Sequence, residues 1–298
     1  MKKFIKVLLA ILLLVVAYLF RDNIYNAYNV IVLKRYVSPL ELNEYSLKDS
    51  YDYVQLTDNF VPNNKKDILN IYYTVVNSGM KTFQFYCPND YKTCGKDLYD
   101  IANDQNTLSN LNNFVHPYNT FKTISTNLEE NGKVTLEVNK VYDDKMIILL
   151  EDKVNEIYDD LYDENKSIQD NIKLFHDYII NNCKYDKERS DNKIENYKSD
   201  NAYGVLKEGF GICGGYTDAM QLFLHRLGLQ SIKISTENHI WNYVKVNDEW
   251  LHMDLTWDDP VMENGSNILD HSYFLVTEKQ LLNLEKEEHI YNKSIYNF

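Results

Sequence analysis

Three residues in the second half of this 298-residue chain carry side chains that could do covalent chemistry together: Cys213, His239 and Asp254. Cys213 lies in Gly209-Phe210-Gly211-Ile212-Cys213-Gly214-Gly215-Tyr216, a glycine-rich turn running into Tyr216, Met220, Phe223, Leu224 and Leu227 at helical spacing. Gly228 supplies the stop. The cysteine therefore falls in the first turn of a helix, where unpaired N–H groups and the positive end of the dipole favour an anion. A thiolate is such an anion, so the position favours a nucleophilic sulfur, and the flanking glycines let a substrate carbonyl approach the backbone. The backbone N–H of Cys213 is the natural first oxyanion donor. Tyr203, Gly214, Trp241 and Trp257 are the candidates for a second donor or for substrate contact.

A base and its orienter must come from the strands that follow. Ser231 to Ser235 alternates like a strand, and Ile240 to Val246 and Glu249 to Leu255 read as two strands joined by the turn Asn247-Asp248. That turn sets Val246 opposite Glu249 and hence Trp241 opposite Asp254. His239 and Asp254 then share one face as diagonal neighbours, roughly 7–8 Å apart at the backbone, a gap an imidazole and a carboxylate can bridge. Ile240, Val244, Val246, Leu251, Met253 and Leu255 take the other face and pin the register. In this arrangement Cys213 would attack a carbonyl, His239 would hold and deliver the proton, and Asp254 would fix the imidazole tautomer.

The segments Ala202-Tyr203-Gly204-Val205-Leu206, Gly211-Ile212-Cys213-Gly214-Gly215-Tyr216, His239-Ile240-Trp241-Asn242 and Trp250-Leu251-His252-Met253-Asp254-Leu255-Thr256-Trp257-Asp258-Asp259-Pro260 resemble the core of the bacterial transglutaminase-like superfamily. The likeness extends through Phe175-His176-Asp177-Tyr178-Ile179, Lys184-Tyr185-Asp186 and Ser272-Tyr273-Phe274-Leu275 to His289, so it covers roughly Ser167 to His289. It implies an α+β fold with a papain-like core, a helix bearing the cysteine packed on an antiparallel sheet, and it carries the triad onto Cys213, His239 and Asp254. One departure is Ile240, where the family often has Ala; it faces the apolar side. The resemblance implies acyl transfer on amide or peptide bonds through a Cys213 thioester, with protease- or amidase-like hydrolysis ahead of protein crosslinking. The alternative is a non-catalytic cell-surface scaffold or binding module that retains the fold.

The rest of the chain frames this centre. A net charge of −13 opposes binding to nucleic acid. Met-Lys-Lys-Phe-Ile-Lys followed by an uncharged apolar run to Phe20 reads as a signal anchor, ahead of a cleaved signal peptide, over residues 1–22. It implies a single-pass membrane protein with the remainder extracytoplasmic, acting on protein, peptide or cell-wall amides. Residues 23–50 read as a stalk with a short helical continuation of the anchor, 51–142 as a small α+β domain, and 143–298 as the catalytic domain. Within these, Asp67 to Ser78, Asp97 to Phe114, Asp143 to Leu161 and Ser167 to Asn182 read as helices, and Lys187 to Asp200 as a polar loop. Cys87 and Cys94 bracket a short turn, where a disulfide and two free thiols are both open. His252 reads as a neighbour of the site, and His176 and Asp177 as structural. No cofactor and no metal are called for, since no cation-binding spacing is present.

Overall fold

The structure is a computed structural model, and it describes residues 2–21, 24, 28, 37–260, 268–284 and 287–297. Helix α1, Lys2–Leu19, has 18 residues, and Lys2, Lys3 and Lys6 are among them. Among the described residues no helix is long and apolar enough to cross a membrane, so the expected membrane-spanning helix at 1–22 is not supported. The apolar run left beyond Lys6 is shorter than the ~20 residues a span requires. The helical continuation expected after it falls largely outside the described residues. Residues 37–50 differ from a free stalk, because they lie along the protein body. Ser38 donates its N–H to Gln84 O, and the Asn43 and Asn119 side-chain amides exchange hydrogen bonds of 2.8 and 3.0 Å.

Helix α2, Lys65–Ser78, starts where the Asn64 side chain accepts from Asp67 N and stops at Gly79 in the left-handed region. Strand β1, Thr82–Tyr86, leads through a Cys87–Cys94 disulfide into α3, Cys94–Ala102. The long helix expected to Phe114 breaks there. Asp104 accepts from the N–H groups of Asn106 and Thr107, capping a separate α4, Gln105–Leu111. Strands β2, Phe121–Leu128, and β3, Lys133–Lys140, complete an antiparallel sheet of order β1-β3-β2.

Helices α5, Asp144–Leu161, and α6, Ile168–Asn182, are N-capped by Asp143 and Ser167. A short parallel pair, β4 Lys184–Tyr185 and β5 Phe210–Gly211, brackets the expected polar loop. Part of that loop is a helix, α7, Lys187–Asn192, because Asp186 caps it. Then come α8, Cys213–Arg226, and the antiparallel strands β6 Ser231–Ser235, β7 Ile240–Val246 and β8 Glu249–Met253, with α9, Glu278–Leu284, near the end.

The last sheet is buried on both faces. Ile232, Ile234 and Trp241 join the core built around α2 and the first sheet. Val244, Val246 and Met253 join a second core made by α5, α6 and α8. Apolar packing therefore runs across residue 142, and the β6–β8 sheet is the wall common to both cores.

Candidate active site

The N-terminus of α8 is locked before any chemistry is considered. A Cβ on Gly215 would sit 2.3 Å from Ser199 O, and one on Gly214 would sit 2.9 Å from Asp200 O. These glycines admit the 199–200 backbone, a role different from the substrate approach their positions suggest. The Thr217 hydroxyl lies 2.7 Å from Cys213 O and 3.0 Å from Ile240 O, and Asn242 Nδ2 donates to Thr217 O at 3.0 Å. The helix start is thus fastened to β7, beside His239. Gly215 and Tyr216 donate their N–H groups to Ile212 O, and among the described residues no acceptor meets the N–H of Cys213 or Gly214.

The β7–β8 hairpin has the register its turn dictates, with Val246 opposite Glu249 and Asn242 opposite Met253. Asn247 and Asp248 take φ values of 51° and 64°, the positive values of a two-residue hairpin turn. One step beyond the paired residues, His239 Nε2 meets Asp254 Oδ2 at 2.5 Å. The other ring nitrogen is not engaged by Asp254, and the Cys213 sulfur interacts electrostatically with this ring. Burial works against charging the His239 ring, but the Asp254 carboxylate and the facing sulfur outweigh it and push its pKa up to about 10.

Asp254 is 1% exposed, so burial would raise its pKa. The charge and hydrogen bond of His239, aided by His289, instead hold it well below the usual carboxylate range. Its Oδ1 accepts from the backbone of Thr256 and Trp257 at 3.0 and 3.3 Å, and His289 Nε2 reaches Oδ2 at 2.9 Å. His289 is a contact that hairpin register could not reveal, since it lies 35 residues beyond Asp254 in the chain.

The sulfur is half-buried and, with His239, lines a cavity of about 440 Å³ bordered by Tyr185, Thr256, Trp257 and Asp259. Of the further candidates, Trp257 lines this cavity and Tyr203 does not. Tyr203 packs against the second core, under the Lys198 ammonium at 4.7 Å. Trp241 is 1% exposed, so it is no substrate contact. It stacks on His239 at 5.7 Å and donates Nε1–H to His252 Nδ1 at 3.0 Å. His252 is thereby committed to Trp241, and burial pushes its pKa down to about 3. A cavity of about 460 Å³ between Lys153, Tyr178 and Glu208 touches none of the three chemical residues.

His176 and Asp177 are bonded to one another, and His176 Nε2 also meets Asp258 Oδ2 at 3.1 Å. Asp259 accepts from Tyr216 OH at 2.5 Å. Among the described residues, two groups have the donors to hold a cation: His176, Asp177 and His271; and His239, Asp254 and His289.

No curated protein matches the chain. Among solved structures, a crystal structure of a TGase is 15% identical over 46% of this chain and 44% of its own, with a TM-score of 0.34. A protein from Cytophaga hutchinsonii, described provisionally as a cysteine protease, is 14% identical over 51% of this chain and 68% of its own, with a TM-score of 0.30. The present chain thus spans under half the length of the first of these. Residues 155–255 match the family described as the transglutaminase-like superfamily. The segment that holds the thiol, the imidazole and the carboxylate is therefore a transglutaminase-like domain.

Proposed function

We propose that the protein is a cysteine-dependent acyl-transfer enzyme that cleaves amide or peptide bonds through a thioester on Cys213. The observation that carries this reading is the His239 imidazole, held by the buried Asp254 carboxylate at 2.5 Å and lining the same cavity as the Cys213 side chain. The Cys213 proton passes to His239, whose charged form Asp254 stabilises, and the resulting thiolate attacks the carbonyl carbon. The N–H groups of Cys213 and Gly214 at the start of α8 are the donors available to the resulting oxyanion. His239 returns the proton to the departing amine, and the C–N bond breaks to leave the thioester. Water, deprotonated by His239, then attacks that thioester, releasing the acid and the thiol. Hydrolysis is preferred over transfer to a second amine because Cys213 is only partly buried and lines a cavity of about 440 Å³, with room for water.

The substrate is a protein, a peptide or a cell-wall amide, and the net charge of −13 argues against nucleic acid. An extracytoplasmic location is supported by the Cys87–Cys94 disulfide, a bond that persists in oxidising compartments. The direct test incubates the protein with mixtures of peptides and wall fragments and compares it with Cys213→Ala by mass spectrometry. A mass loss from substrate that needs Cys213, with an acyl adduct trapped on that residue, is the expected result. Turnover that survives Cys213→Ala would refute the assignment.

A further inference from the structure

A second constellation of titratable side chains lies outside the lining of the cavity that holds the thiol. Asp177 Oδ1 receives two ring nitrogens, His176 Nδ1 at 3.0 Å and His271 Nε2 at 2.7 Å. Lys173 Nζ lies 2.7 Å from both Asp177 Oδ2 and His271 Nε2. The protons cannot satisfy all of these contacts. If His271 Nε2 carries a hydrogen, it donates to Asp177 and turns that hydrogen edge toward an ammonium. If it carries a lone pair, it accepts from Lys173 but then faces a carboxylate oxygen at 2.7 Å with no proton between them. A cation accepting both lone pairs resolves the conflict.

We propose that His176, Asp177 and His271 form a binding site for a divalent metal ion of the zinc or nickel class. The donor set of two imidazoles and one carboxylate suits such ions, and three protein ligands leave a position for water. Donor atoms around tetrahedral zinc lie about 3.3 Å apart, given bonds of about 2.0–2.1 Å; here all three lie within 4.8 Å of one another. A second observation is independent of that spacing. His176 is fully buried, and its other nitrogen, Nε2, is held by Asp258 Oδ2, also fully buried. Metal-bound imidazoles are oriented by a carboxylate on the far nitrogen in this way. With Nε2–H kept on Asp258, loss of the proton that Nδ1 shares with Asp177 would leave the Nδ1 lone pair for the ion.

Lys173 is the competing occupant. Its side chain is 40% exposed on a flexible stem, so an arriving dication can displace it into solvent. Asp177 and Asp258 supply two negative charges to balance the ion. The site would join α6 to the segment after residue 268. There Tyr273 N donates to Asp258 Oδ1 and Tyr273 O accepts from Asp254 N. A bound ion would therefore stiffen the turn beneath the Asp254 carboxylate without touching the cavity that holds Cys213.

Calorimetric titration of the chelator-treated chain with zinc chloride tests this, with Cys213→Ser in every sample to remove the thiol as a rival ligand. One ion per chain is expected. His271→Ala should weaken uptake at least about tenfold and Asp258→Asn about 10–100-fold. Lys173→Met keeps every ligand and should tighten uptake, with circular dichroism checking that each variant folds. Absence of saturable uptake by both the parent and Lys173→Met overturns the proposal. So does one-to-one uptake that His271→Ala leaves unchanged, which would assign the ion to His239, Asp254 and His289.

Discussion

At the scale of single residues, the Asp254 carboxylate favours the charged form of the His239 ring, and the proposed reactivity of Cys213 rests on that ring. Asp254 is buried and ionised, and it pays for that burial by accepting from two imidazoles and two backbone N–H groups. Asp254→Asn removes the charge while keeping the shape and frees His239 to take the wrong tautomer. By the triad template, kcat should fall by about 10⁴, read in a single-substrate assay. Alkylation gives a readout without substrate. Iodoacetamide should label Cys213 at pH 6, where a free thiol of pKa ~8.5 reacts slowly, and His239→Ala should abolish that labelling. The same ring has a signature in stability. The folded pKa of His239 is raised to about 10 against an unfolded value of about 6.5, so its contribution is complete below pH about 6.5 and is lost as pH rises through 10. Asp254 has the opposite sign, contributing above an unfolded pKa of about 3.9 and losing that only as pH falls toward its depressed folded value. Melts from pH 6 to 10 should therefore fall more steeply for the parent than for His239→Gln.

At the scale of elements, what positions these groups is one helix start and one hairpin, and both were legible from local pattern. Alternation and a two-residue turn gave the pairing of β7 with β8, because a slip by one residue would exchange Val244 and Val246 with polar partners. The glycine–cysteine run gave the start of α8 for the same kind of reason, an unpaired N-terminus that needs no side-chain cap. What stayed hidden depends on contacts distant in sequence: His289 on Asp254, His271 on Asp177, and the Ser199 backbone against Gly215. The break between α3 and α4 does not show in the apolar stripe, which continues across Asp104, while the side chain of that residue caps a new helix. The Gly215 contact makes a prediction at this scale. Gly215→Ala places a methyl 2.3 Å from Ser199 O, a backbone atom that cannot rotate away, so α8 must shift. Urea melts should show a loss of about 1–3 kcal/mol, the range for overpacking, with kcat reduced through the displaced sulfur. At the hairpin turn, Asp248 already holds φ of 64°, so Asp248→Gly should leave the midpoint unchanged or raised.

At the scale of the whole molecule, the first half of the chain is part of the candidate site's setting, because its core and the transglutaminase-like segment share the β6–β8 sheet. A cavity of about 470 Å³ is lined by Asn112 and Lys122 from the first half and by Gly214 and Ile240, the chain neighbours of Cys213 and His239. A substrate long enough to extend from the Cys213 cavity into this one would meet both halves. Lys122→Glu, on an exposed residue away from the triad, should therefore raise KM several-fold for an acidic peptide and leave kcat near its parent value. The two halves also meet at a pair of histidines whose rings lie 4.9 Å apart, His116 before β2 and His225 in α8. Burial pushes the His225 pKa down to about 4 and that of His116 well below its ordinary value, and the nearby Lys233 ammonium adds to both. A lowered imidazole pKa means that the unfolded chain binds the extra proton first. Stability is then complete above pH about 6.5 and falls as the medium is acidified toward the folded value. For His225 alone the loss between pH 7 and pH 5 is about 1–2 kcal/mol, at about 1.4 kcal/mol per pKa unit. His225→Phe keeps an aromatic ring in that contact and removes the titration. Its urea midpoint should change less than the parent's from pH 7 to 5, and parallel curves for the two proteins would place the acid sensitivity elsewhere.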